Sequence, residues 1–323
     1  MLGGEFIRRE INSNVDNVAF DVAATILNPL NPVSNAINSF TSFKPFCSKN
    51  DGKGDQTPTQ PDSESSASCS VGVGSFDPNE IKAPSGVGTQ RWVSKDALLK
   101  YTIYFENDPD SATAAAQKVV ITQDLDPHLA PQTFRLESFG FHSFTFEVPQ
   151  NSTHHEDRLY VADSVGVLVD ITAGIDYVNN RLTWTFESID TLTGVFTTDP
   201  FAGFLPLNDS VGHGEGFVSY TIQVKEDAVT FDSIIAQADI IFDYNDPLAT
   251  NVEVNIVDAD APVTEVYPVI AAVDSSHLFV EWHGTDVGAG LQAYSLYVSR
   301  GDGPFLPWLQ DTSLLTAIYN GTM

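Results

Sequence analysis

LLKYTIYFEN, residues 98–107, alternates apolar and polar positions and is rich in aromatic and β-branched residues. A period of two belongs to a half-buried strand, and it puts Tyr101, Ile103 and Phe105 on one face as core positions. The same signature recurs in AQKVVITQDL (116–125), TFRLESFGF (133–141), FTFEV (144–148), RLYVADSV (158–165) and VGVLVDITAGI (165–175). It continues in RLTWTFESI (181–189), GFVSYTIQV (216–224), IIAQADIIF (234–242) and NVEVNIV (251–257). Leu182, Trp184 and Phe186 form a second apolar face by the same spacing. Turn residues separate the runs: DPD at 108–110, LDPHLAP at 125–131, Asn179-Asn180, GHGEG at 212–216 and DYNDP at 243–247. Asn tolerates a positive φ, so Asn179-Asn180 reads as a hairpin turn. Many short strands with no long helix after Phe76 predict an all-β fold, with immunoglobulin-like β-sandwich modules in tandem.

The pattern divides the 323 residues into four parts. Residues 1–47 are mixed and partly helical: Val15, Ala19, Val22 and Ile26 have helical spacing, and Pro29 ends the run. Residues 48–74 are Ser, Asp, Gly and Pro with almost no large apolar side chain, the composition of a flexible linker or long loop in a partly disordered N-terminal region. Residues 75–258 carry the strand series and form one β-sandwich. Residues 262–323 start a second pattern, with HLFVEW (277–282) and QAYSLYVS (292–299) as strands, which ends before a last pair of strands closes a second sheet. Such a half-module exposes part of its core, so the sequence reads as part of a longer protein. The lack of an apolar leader in MLGGEFIRREINSN is discounted for that reason.

Charge narrows the partners. With 43 acidic and 15 basic residues the formal net charge is -28, a surface that repels phosphate backbones and excludes nucleic acid. It suits divalent cations or a solubilising exterior. No apolar run reaches the roughly 20 residues of a membrane-spanning helix. The two cysteines, Cys47 and Cys69, lie before the sandwich, which therefore coheres without a disulfide; they pair across the linker or stay as thiols. Sequons at Asn151, Asn208 and Asn320 permit glycosylation in a secretory pathway.

Four marks in order carry a family resemblance: the DPN opening at 77–79, the strand YTIYFEN at 101–107, the turn DLD at 124–126 and the closing FDYNDPLATN at 242–251. Over residues 75–258 the chain resembles a repeat domain of unknown function that recurs in large secreted and surface proteins. The resemblance implies a β-sandwich without enzymatic activity. Residues 262–323 resemble an incomplete fibronectin type III module, with Trp282 and the Tyr294–Tyr297 strand in the places of its core aromatics.

The residues suited to chemistry are acidic and lie at the expected ends of the sandwich. Asp77, Asn79 and Glu80 form one cluster, Asp243, Asn245 and Asp246 a second, and Asp258 and Asp260 stand in the linker between modules. Calcium takes about six to eight oxygen ligands, which alternating Asp and Asn turns supply. The competing reading is local: the same side chains cap their own turns. The opening and closing clusters meet if the first and last strands end at one pole. Asp286 reads as a turn former, and His154 and His155 as solvated loop residues beside Glu156 and Asp157. No HExxH, GxSxG or helix-opening glycine loop occurs, so no catalytic residue is assigned. The expected function is a non-catalytic extracellular or cell-surface structural or adhesion module, with calcium as the candidate ion. Its partners are neighbouring modules of the same chain, other surface proteins or glycans. The alternative is an accessory carbohydrate-binding module of a secreted enzyme, with Trp92, Trp308 and Tyr244 as sugar-stacking candidates.

Overall fold

The computed structural model describes residues 10–11, 20–27, 79–267, 270–271, 277–300 and 303–320. Cys47, Cys69 and the linker 48–74 lie outside the described residues. Two strands come first, β1 (Glu10–Ile11) and β2 (Phe20–Leu27). The sandwich follows with β3 (Glu80–Lys82), β4 (Trp92–Ser94), β5 (Leu98–Glu106), β6 (Lys118–Asp124), β7 (Leu129–Phe141), β8 (Phe144–Glu147) and β9 (His154–Leu159). A single helical turn, α1 (Ala162–Val165), precedes β10 (Leu168–Asp176), β11 (Arg181–Ile189) and β12 (Glu215–Val224). Next are β13 (Ser233–Ala236), β14 (Asp239–Phe242), β15 (Leu248–Ala249) and β16 (Glu253–Asp258). The last group is β17 (Val263–Val266), β18 (Ile270–Ala271), β19 (His277–Thr285), β20 (Ala293–Arg300), β21 (Leu306–Thr312) and β22 (Thr316–Asn320).

The chain is all-β, as its alternating pattern dictates. Two large antiparallel sheets, in the orders β15-β14-β6-β11-β10-β9 and β3-β5-β12-β7-β8, carry the main core between them. A small third sheet, β13-β16-β4, is the one place among the described residues where strands pair in parallel, β16 beside β4. Tyr101, Ile103 and Phe105 are at most 1% exposed, and Leu182, Trp184 and Phe186 likewise, so both expected faces are core. The hairpin between β10 and β11 turns at the expected place, with Asn180 at φ 50 and Asp176 Oδ1 accepting from Val178 N (2.8 Å) and Asn179 N.

Aromatic rings join the two sheets. Phe186 of β11 lies 5.8 Å from Phe105, 5.9 Å from Phe139 and 6.0 Å from Phe141, measured between ring centroids. Phe134 bridges Trp184 (6.4 Å) and Tyr220 (5.6 Å). Tyr220 stacks on Tyr101 at 5.1 Å, and its hydroxyl donates to Gln123 Oε1 (2.9 Å) in the facing sheet. The hydroxyl of Tyr101 is buried with no such partner among the described residues. Burial pushes both phenols above their ordinary range, so they stay neutral.

A second, smaller cluster lies in the C-terminal strands. Val280, Trp282, Tyr294, Leu296 and Val298 are its buried members, and Trp308 and Tyr319 pack against them. Trp282 meets Trp308 edge-on at 6.3 Å, and Trp308 meets Tyr319 edge-on at 5.2 Å.

Three expectations are corrected. Helical spacing predicted a helix through Ile26, but residues 20–27 form a strand antiparallel to β20, from Phe20↔Arg300 to Leu27↔Ala293. Val15 and Ala19 of that pattern lie outside the described residues. Phe20, Val22, Ala24 and Ile26 also alternate with period two, and in so short an apolar run only tertiary pairing decides. The run at 158–165 is not one strand: the strand lies earlier, at His154–Leu159, and Ala162–Val165 is helical, closed by Gly166 at φ 82. His154 and His155 therefore sit in an edge strand rather than a loop. The run at 234–242 is two strands in two sheets, broken at Gln237-Ala238, where Thr250 Oγ1 accepts from Ala238 N (3.0 Å).

The packing makes Phe186→Ala costly, by about 3–5 kcal/mol of unfolding free energy in denaturant melts. Tyr220→Phe loses a buried hydrogen bond and is expected to cost about 1 kcal/mol, whereas Tyr101→Phe, which removes an unpartnered hydroxyl, is neutral or stabilising. Equal losses at the two tyrosines would contradict this assignment.

Candidate functional site

Each described residue of the acidic set has a definite place. Asp77 lies outside the described residues. Asn79 has a buried Oδ1 with no hydrogen-bond partner among the described residues. Glu80, on the edge strand β3, pairs with Lys82 at 3.2 Å. Asp243 follows β14 at φ 53, and its Oδ1 accepts from Gln117 N (2.8 Å) and Lys118 N (2.9 Å), capping the start of β6. Asn245 and Asp246 are exposed in the turn beyond it. Asp258, 3% exposed at the end of β16, accepts from Ala289 N through Oδ2 (2.9 Å). Asp260 is exposed, with its backbone N–H donating to Thr230 Oγ1 (3.0 Å). Among the described residues no three His, Cys, Asp or Glu side chains converge as a metal cluster.

The opening and closing segments do meet, but through amides. Asn251 Oδ1 accepts from Ile81 N (2.8 Å), and its Nδ2 donates to Ile81 O (3.1 Å). Four residues on, the buried Asn255 donates from Nδ2 to Pro84 O (3.0 Å) and Arg91 O (2.9 Å). Arg91 and Glu253 form an ion pair beside them. In this way β16 and the residues before it hold the first strands of the sandwich by side-chain to backbone bonds.

The other marks work similarly. Asn107, which ends β5 and is 5% exposed, donates from Nδ2 to Ala114 O (3.0 Å) and Leu205 O (2.9 Å), joining two loops. Asp126 ties the turn after β6 to β13: Oδ1 accepts from His128 N (2.9 Å) and Oδ2 from Ile235 N (2.9 Å). Asp124 forms a two-bonded pair with Arg181 (2.6 and 2.8 Å), which, being exposed, adds little stability. Asn251, Asn255, Asn107 and Asp126 were not singled out from sequence as site residues. Three of them stand inside the quoted motifs, and that was their signal.

The loop after β19 is shaped by Asp286, whose Oδ2 accepts from Gly288 N (3.0 Å) and Gly290 N (2.7 Å), the turn role expected of it. Gly288 presses on the Asp258 carboxylate so closely that a Cβ there would collide with it. Of the sugar-stacking candidates, Trp92 is 6% exposed and packs edge-on against Phe231, and Trp308 packs in the C-terminal cluster, while Tyr244 is 93% exposed. Asn208 has both amide atoms engaged, with Glu106, Glu215, Asp209 N and Gly214 N, which leaves its sequon poorly placed for a glycan.

His142 and His213 stack at 4.3 Å between ring centroids, and His213 Nδ1 bonds Asp209 Oδ2 at 2.7 Å. Burial, and then the neighbouring His213, lowers the pKa of His142 from its ordinary 6.5. Backbone N–H of Val211 and the His213 ring hold Asp209 down at about 2. Both folded values lie below the unfolded ones, so the unfolded chain binds protons first and acid destabilises. The His142 contribution is complete above its ordinary 6.5 and is lost as pH falls through the lower folded value. The Asp209 contribution is lost only between its ordinary 3.8 and about 2. Melting temperature against pH should therefore decline first below about pH 6.5, and His142→Gln should flatten that upper step. An unchanged profile in the variant would remove His142 from the account.

Asp243 offers a sharper test. Asp243→Ala orphans two backbone N–H groups and should cost about 1–3 kcal/mol, while Asp243→Asn keeps an acceptor oxygen and tolerates the positive φ, restoring most of it. Failure of Asn to restore stability would point to the carboxylate charge instead of the cap.

The family model described as Domain of unknown function (DUF7619) matches residues 77–157 and 170–256. No curated protein matches the chain. Among solved structures, the C-terminal domain of the AgI/II polypeptide BspA of Streptococcus agalactiae matches at 13% identity and a TM-score of 0.34, covering 68% of this chain and 60% of that one. The chain thus spans less than two thirds of that protein's length. Domains D2 and D3 of the major pilin SpaD of Corynebacterium diphtheriae match at 13% identity and a TM-score of 0.30, covering 75% and 88%. The collagen-binding domain of a Staphylococcus aureus adhesin matches at 9% identity and a TM-score of 0.29, covering 57% and 99%. TM-scores this low carry no argument about function. The family match is different in kind, because it spans more than half of the chain: the chain belongs to the family described as Domain of unknown function (DUF7619).

Proposed function

We propose that the chain is a non-catalytic structural module of an extracellular or cell-surface protein, acting as a spacer and adhesive unit between neighbouring modules. The observation that supports this most is the use made of polar side chains in and beside the motifs. Asn107, Asp126, Asp243, Asn251 and Asn255 bind backbone groups of neighbouring strands and loops, which is the work of holding a sandwich together. The net charge of -28 supports an acidic exterior suited to surface proteins or glycans and not to nucleic acid. No helix among the described residues is long and apolar enough to cross a membrane, which says nothing of a membrane β-barrel.

Calcium belongs to the same reading. Asp243 and Asp258 each give an oxygen to backbone N–H groups, so calcium at either would share the carboxylate with that cap. Melting the chain with calcium and again with a chelator decides this. A clear rise in Tm means an ion held by the native state; coincident melts leave turn capping as the whole role of these residues. Screening the chain against surface proteins and glycans, beside an ester, peptide and glycoside hydrolysis panel, tests the wider reading. Selective retention by a surface component supports it, and turnover of any substrate sinks it.

A further inference from the structure

The C-terminal strands do not complete their own sheet. Residues after 260 give one of their sheets only β20 and β21, and the third and fourth strands are β2 and β1, which come before the sandwich in sequence. All eight residues of β2 pair with all eight of β20, without a register break. The face of β20 that looks into the cluster carries Tyr294, Leu296 and Val298, each buried. Without β2, β20 would be an edge strand with a row of unpaired backbone groups, the template that most readily recruits another strand. β2 also passes close to β17, an edge strand of the neighbouring sheet β17-β19-β18. No sheet of the main sandwich includes it.

From this juxtaposition we infer that residues 20–27 are a donor strand and the edge of β20 its acceptor, and that a second copy of this chain supplies the donor as well as the first. Exchange replaces each pairing by an identical one, so it costs no contact. What opposes it is the effective concentration of the donor in the same chain, on the order of millimolar for a short flexible tether and lower for a long one. The pairing joins Leu27 to Ala293, so the donor is not held to its acceptor by a short hairpin turn. Each copy carries one donor and one acceptor, so exchange closes reciprocally as a two-fold dimer or runs on into larger rings and open chains. The inference is independent of the adhesive reading, since it rests on strand pairing alone.

Register supplies the test. In a Cys47→Ser, Cys69→Ser background, one full-length chain carries Ala23→Cys and another Tyr297→Cys, residues that are cross-strand partners. A second set uses the adjoining pair, Ala24→Cys and Leu296→Cys, because neighbouring pairs in an antiparallel ladder alternate in Cα separation and one of the two suits a disulfide. Single-cysteine chains are unfolded in mild denaturant, mixed, refolded at rising concentration and oxidised. The expected result is a cross-linked pair of the two different chains, increasing with concentration and falling when Val22→Pro is added to the donor chain. The double-cysteine chain should form the same bond internally when dilute. If the double variant closes internally while mixed singles never join at any concentration, the donor serves only its own chain and the inference falls. If neither set cross-links although circular dichroism shows folded protein, the strand pairing itself is absent and the inference falls with it.

Discussion

Phe186 stands where the two large sheets face each other, against Phe105, Phe139 and Phe141, and the rest of the sandwich depends on that contact. Three of these rings come from β5 and β7 on one sheet and one from β11 on the other, so a single cluster fixes the spacing and stagger of both. Edge-on and tilted ring pairs are directional, which a layer of aliphatic side chains is not. Fixing that stagger brings Tyr220 within reach of Gln123 and so lets one polar bond cross the core. No disulfide is called for among these strands.

Around this seam the chain handles its loops by a consistent device. A side-chain amide or carboxylate at the end of a strand satisfies backbone groups of a distant segment, as Asn107 does for Ala114 and Leu205, and Asn251 does for Ile81. Buried backbone groups outside sheet ladders need such partners, and short amides reach them without adding a buried charge. The acidic total has a related effect. Many of its carboxylates sit in exposed turns and accept from N–H groups one to four residues away, as Asp190 and Asp209 do. There they shape the turn and carry surface charge together.

The two expected core faces were legible because strands of a sandwich alternate strictly: one face of Leu182, Trp184 and Phe186 is enough to orient β11. The family marks were legible as well, but their use was not. Asp243 was read both as a calcium ligand and as a turn cap, since a carboxylate in a turn carries the same letters in either role. Only the distances to Gln117 N and Lys118 N show what its Oδ1 does. Asn251 and Asn255 were passed over because an asparagine that braces a strand more than 150 positions away leaves no local pattern. The same holds for β2. Eight residues of mixed spacing carry no local decision between helix and strand, and the decision is made by β20, far along the chain.

The parallel pairing of β16 with β4 has a bearing on how the sandwich carries tension. One of these strands lies near the start of the sandwich and the other at its end, and they run side by side in the same direction. A pull applied through the chain at both ends draws them along opposite senses of one axis. The ladder bonds lie across that axis, so they are loaded together and must fail together, where a hairpin pulled from its open end would part bond by bond. The amide clasp of Asn255 and the Arg91 and Glu253 pair sit at the same seam, and Asn251 clasps β3 just before it. A module built this way resists stretching along its length more than its modest number of parallel pairs suggests.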